Sequence, residues 1–162
     1  MRIPEALLPE FRAEIRARSA RATLILVMIA VIIWPTSVWL DYLLWSDSPY
    51  LASLITWRFG TWAAHLLYGA LVLVAHKKGW LERWPRVFAW AVIMICEVYV
   101  TTVCLIVGGA ETPYYAGVTL LMLAVLVSMP WGLVEMAVAL SVLTLFFDAV
   151  MLIFDPGLFQ PG

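Results

Sequence analysis

Asp41, Arg58, His65, Glu97 and Asp148 are ionisable residues embedded in long apolar runs of this chain. Such groups are expensive to keep inside a membrane and mark functional positions by default. Each belongs to a polar stripe. Trp34, Ser37 and Asp41 form one, Arg58, Thr61 and His65 the next, then Glu97, Thr101 and Cys104, and last Ser141, Thr144 and Asp148. Steps of three and four residues put every set on one helical face. The repetition predicts that the four faces converge on a common interior.

Depth divides the charged residues into two layers. At 1.5 Å rise per residue, His65 and Glu97 lie about 16 Å from the basic end of their helices, near mid-membrane. Asp41, Arg58 and Asp148 lie about 27 Å up, near the opposite surface. A central His65/Glu97 pair could couple structure to protonation. An outer cluster would pair Arg58 with Asp41 or Asp148, because an unpaired charge there is costly. Either layer could hold a ligand or merely satisfy itself through packing, and the aromatics Trp57, Trp62, Tyr68, Trp90 and Tyr99 could line a pocket or only fill space.

Other chemistries are not expected. A metal site lacks a third and fourth ligand at the depth of His65. Cys96 and Cys104 have no metal-ligand spacing, and His65 and His76 share one helix, which rules against haem ligation. There is no phosphate loop, no activated nucleophile and no carboxylate cluster, so neither catalysis nor a cofactor is expected.

The elements that must position these residues are hydrophobic helices. The chain is 64% hydrophobic and only 13% charged, about half the charged fraction of a soluble domain. Five spans are expected, at 23–45, 50–75, 86–107, 114–129 and 131–154, in an all-α polytopic bundle covering 23–155. The last two are split at Pro130, which lacks a backbone donor. Gly108-Gly109 reads as a helix stop. Residues 1–22 form a basic preamble with Leu8, Phe11 and Ile15 on one face, suited either to lying along headgroups or to extending the first span.

Nine of the ten basic residues fall in two segments. Arg2, Arg12, Arg16, Arg18 and Arg21 precede span one, and Lys77, Lys78, Arg83 and Arg86 lie between spans two and three. The opposite connections carry Asp47, Glu111 and Asp155 without Lys or Arg. Both basic segments are therefore expected in the cytoplasm. Five crossings then leave 156–162 as an external tail or loop, and a sixth crossing is expected before any cytoplasmic domain could follow.

Thr112-Pro113-Tyr114-Tyr115-Ala116-Gly117, followed by an apolar run ending in Met129-Pro130-Trp131, resembles the amino-terminal six-span membrane domain of bacterial sensor histidine kinases and class III nucleotide cyclases. Asp41 and the basic run before span one are similar too. The resemblance implies that Pro113, Tyr114, Tyr115 and Gly117 open the fourth helix and that Pro130 and Trp131 close it. It implies a receptor in the bacterial inner membrane, working as a homodimer and passing a signal to a kinase or cyclase domain that this chain lacks.

The reading is a membrane sensor for a small amphipathic or lipid-like ligand, or for membrane state, with no nucleic-acid partner. Two alternatives stay open. A small transporter or channel subunit would use the polar layers as a path, with Pro35 as a break in span one. An assembly factor would have no ligand.

Overall fold

The computed structural model describes residues 7–108, 112 and 114–154, all of whose regular structure is helical. Six helices follow in order: α1 Leu8–Trp45, α2 Leu51–Lys77, α3 Trp80–Arg83, α4 Pro85–Val107, α5 Tyr115–Ser128 and α6 Leu133–Phe154. Four of them, α1, α2, α4 and α6, are long and apolar enough to cross a membrane. α5 is equally apolar but has 14 residues, about 21 Å of helix. Of the expected segments, residues 1–6, Pro113 and 156–162 lie outside the described residues, as do Glu111, Asp155 and the side chain of Tyr115.

α4 is the hub. Twelve of its 23 residues are buried, and it packs on α1, α2, α5 and α6. α1 and α2 pack together along most of their length. The outward faces carry Ile25, Met28, Ile32, Leu67, Val127, Leu145 and Ile153, all exposed. A surface that apolar needs a cover other than water.

α1 is a single helix from Leu8, so the described part of the preamble extends the first span. Pro35 does not break it either. A proline removes the hydrogen bond to the carbonyl four residues earlier, here that of Val31. The indole N–H of Trp62, on α2, donates to that carbonyl at 2.9 Å. The lost bond is replaced by one between helices.

Turns fall where residue chemistry puts them. Gly79 at φ 68° and Gly108 at φ 118° end α2 and α4 in the left-handed region, which glycine enters at no steric cost. Met129 is extended, as the residue before a proline prefers. α6 then starts with Met136 N–H bonded to the Gly132 carbonyl and the Glu135 carboxylate accepting from Gly132 N–H at 3.4 Å, half of a capping box. The short helix α3, in the basic connection, has no periodic signal and was not expected.

The polar stripe of α6 is a correction. Ser141, Thr144 and Asp148 are all exposed, because α6 turns Met136, Ala139, Leu143, Phe147 and Met151 inward. Thr144 satisfies its hydroxyl on the Leu140 carbonyl of its own helix. It therefore needs no partner in the interior.

Candidate functional site

The polar stripes of α1 and α2 do converge, and Arg58 is at their meeting point. Glu97, Thr101 and Cys104 of α4 are buried as well, but among the described residues no hydrogen bond joins them to either stripe. Its side chain is 3% exposed and that of Asp41 is fully buried. The guanidinium grips Asp41 with two parallel bonds: Nε donates to Oδ2, and Nη2 donates to Oδ1 at 2.5 Å. Nη1 donates to the Ser37 hydroxyl, which itself donates to the Trp34 carbonyl at 2.7 Å. The hydroxyl of Tyr114 donates to Asp41 Oδ1. The guanidinium carbon lies 5.5 Å from the ring centre of Tyr99 and 5.9 Å from that of Tyr114.

Fork-on-carboxylate geometry of this kind is the arrangement that can repay the desolvation of both charges. Arg58 therefore pairs with Asp41 and not with Asp148, which is exposed on α6. Tyr114 ties the start of α5 to the same carboxylate. In the sequence Tyr114 stands out only through the motif, although its position at the start of a helix opposite the basic end puts it at the depth of Asp41.

The central layer also differs from expectation. His65 is fully buried, yet no hydrogen bond or ion pair joins it to Glu97. Its Nδ1 faces the Thr61 carbonyl at 2.9 Å, and its Nε2 faces the Trp34 indole N–H at 3.1 Å. A carbonyl can only accept and an indole N–H can only donate. The ring is thus a neutral imidazole with its proton on Nδ1. Cys96 Sγ lies 3.4 Å from Nε2. Glu97, also fully buried, accepts from Thr101 at 3.3 Å. Among the described residues its Oε2 has no hydrogen-bond partner.

Beside the Arg58 cluster lies a cavity of about 310 Å³ between α1, α4 and α5. Its walls are apolar, from Ile29, Ile33, Val92, Val100, Leu120 and Val125 among others. Its polar side is Ser37, Arg58 and Tyr114, with Trp34, Cys96 and Tyr99 adjoining. α1 and α5 both pack on α4, with little direct packing between them. His65 and Glu97 do not line the cavity, although two of its wall residues, Trp34 and Cys96, are partners of His65. Of the five aromatics singled out in the sequence, Tyr99 reaches it. Trp57 borders a separate cleft on α2 and α4.

The motif residues shape this region. A Cβ on Gly117 would lie 3.1 Å from Val100 Cγ1, so glycine lets α5 approach α4. At the other end Trp131 stacks on Trp90 with ring centres 5.7 Å apart, beyond the break at Pro130. Among the described residues, no three His, Cys, Asp or Glu side chains gather as metal ligands would.

Compared with known proteins, the chain matches no family model, no curated protein and no solved structure.

Proposed function

We propose that this chain is a membrane-embedded sensory module that perceives a small amphipathic molecule. The chain crosses a bacterial inner membrane five times, α5 included, with its basic end in the cytoplasm. As a homodimer it regulates a cytoplasmic signalling domain of the kinase or cyclase type. One observation carries the ligand reading: a mostly apolar cavity with a few placed polar groups, the mixture small-molecule sites favour. At about 310 Å³ it is at the lower end of their size range.

The charge state of the site narrows the ligand. Arg58 and Asp41 neutralise each other within the bundle, so the cavity offers hydrogen-bond donors without net charge. That suits an uncharged amphiphile, an apolar chain or ring bearing one carbonyl or hydroxyl group. The transporter reading is less favoured, since α1 continues through Pro35 without the broken helix that such sites use.

The test is photolabelling of the chain in lipid nanodiscs with a medium-chain ketone carrying a diazirine. Label should concentrate on the walls contributed by α1, α4 and α5, and Ala124→Trp, which fills the cavity, should abolish it. Label spread evenly over the exposed faces, or unaffected by Ala124→Trp, would overturn the reading.

A further inference from the structure

A second cavity lies at the basic end, away from the Arg58 cluster. It measures about 630 Å³ and is lined by Phe11, Arg12, Ile15, Arg16 and Ser19 of α1 and by Arg83, Trp84, Pro85, Arg86 and Val87. Arg12 and Arg16 are one turn apart and share a face of α1. Arg83 and Arg86 flank the junction of α3 and α4. Four arginines thus line one cleft from two directions.

Their charge is poorly compensated. Arg86 bonds Glu135 at 2.6 Å. Among the described residues, Arg12, Arg16 and Arg83 have no carboxylate partner. By contrast Arg18, which does not line the cleft, is paired with Glu14 at 2.5 Å. The Arg83 guanidinium lies 5.8 Å from the ring centre of Trp84, and Phe11, Ile15, Trp84 and Val87 give the cleft an apolar side.

Position completes the case. Ser19 is buried and Arg86 stands in the first turn of α4, where the apolar stretch of that helix begins. Arg12 lies about 10 Å further along α1. In a membrane the cleft would therefore lie at the level of the lipid phosphates, where the apolar stretches of α1 and α4 begin.

We propose that this cleft binds the headgroup of a phospholipid bearing two negative charges, one bound lipid tying the extension of α1 to the start of α4. Basic pockets between helices at a membrane surface have the chemistry for such headgroups, and arginine forks suit phosphate oxygens. Against the three arginines without a carboxylate, a singly charged headgroup would leave two unmet and a doubly charged one only one. The inference requires the chain to sit in a membrane but does not depend on the ligand cavity.

Native mass spectrometry of the full chain, released from nanodiscs of phosphatidylcholine mixed with cardiolipin or with phosphatidylglycerol at matched total charge, tests it. Wild type should retain a single cardiolipin and show no comparable retention of phosphatidylglycerol. Each basic side chain near an anionic surface is worth about five-fold in affinity, so Arg12→Gln with Arg83→Gln should weaken retention about 25-fold. Arg18→Gln should leave it unchanged. Equal retention of phosphatidylglycerol, or an equal loss in Arg18→Gln, would reduce the cleft to unspecific surface charge and overturn the proposal. So would displacement of the lipid by soluble pyrophosphate at equal concentration, which would show that phosphate alone is read. Circular dichroism of each variant confirms that retention is compared between folded proteins.

Discussion

The indole N–H of Trp62 donates to the main-chain carbonyl of Val31 at 2.9 Å, and Val31 is the residue whose carbonyl Pro35 leaves without its helical donor. In a lipid environment an orphan carbonyl costs several kcal/mol, and neighbouring helices are the usual remedy. Trp62→Phe should therefore destabilise the bundle by about 1–3 kcal/mol. In a Pro35→Ala background, where residue 35 can donate to Val31 itself, the same change should cost clearly less. Chemical unfolding in detergent of the four proteins of this cycle measures the difference, and equal costs in both backgrounds would show that the two features are unconnected.

Arg58 and Asp41 form a buried, two-point ion pair, so removing one partner strands the other. Arg58→Ala should cost about 3–5 kcal/mol. Adding Asp41→Asn should recover part of that loss, since a buried carboxylate without its cation is then absent. Asp148→Asn should change stability by less than about 0.5 kcal/mol and show no coupling to Arg58, because Asp148 is exposed on α6. Coupling of Arg58 to Asp148 instead would contradict this geometry.

The long apolar helices were readable from the length of the apolar runs, though not the start of α1 at Leu8 or the four-residue α3. The buried faces of α1, α2 and α4 were readable from periodicity, because burying Asp41, Arg58 and Glu97 leaves few alternatives. Periodicity finds a face but not the direction in which it points. On α6 the inward face is set by Ala139, Leu143 and Phe147 packing, which leaves Ser141, Thr144 and Asp148 outside. Equal depth likewise did not make His65 and Glu97 partners. His65 is satisfied by Trp34 and by the Thr61 carbonyl of its own helix, and a main-chain acceptor leaves no mark in the sequence. The Trp62–Val31 bond was hidden for the same reason.

The distribution of basic residues predicts which faces are shared. Lys78→Cys and Asp47→Cys should react with a membrane-impermeant maleimide from opposite sides, Lys78→Cys from the cytoplasmic side. The native thiols should stay silent, since Cys104 is fully buried and Cys96 is 9% exposed. Reaction of both engineered positions from one side would overturn the topology.

Glu97 is a buried carboxylate whose only hydrogen bond among the described residues comes from Thr101, one turn along the same helix. Gln has the same shape, can still accept from Thr101, and brings no charge into the core, so Glu97→Gln should cost less than about 1.5 kcal/mol. Glu97→Ala removes the packing as well and should cost about 2–4 kcal/mol, as other large-to-small core changes do. Because no bond links Glu97 to His65, the effects of Glu97→Gln and His65→Phe should add within about 0.5 kcal/mol. The effects of Glu97→Ala and Thr101→Val should not add, because one removes the acceptor and the other the donor of the same hydrogen bond. Unfolding free energies of these single and double variants decide the matter. A large coupling between positions 97 and 65 would restore a functional His–Glu pair, whereas coupling confined to 97 and 101 would make Glu97 a local polar contact of α4.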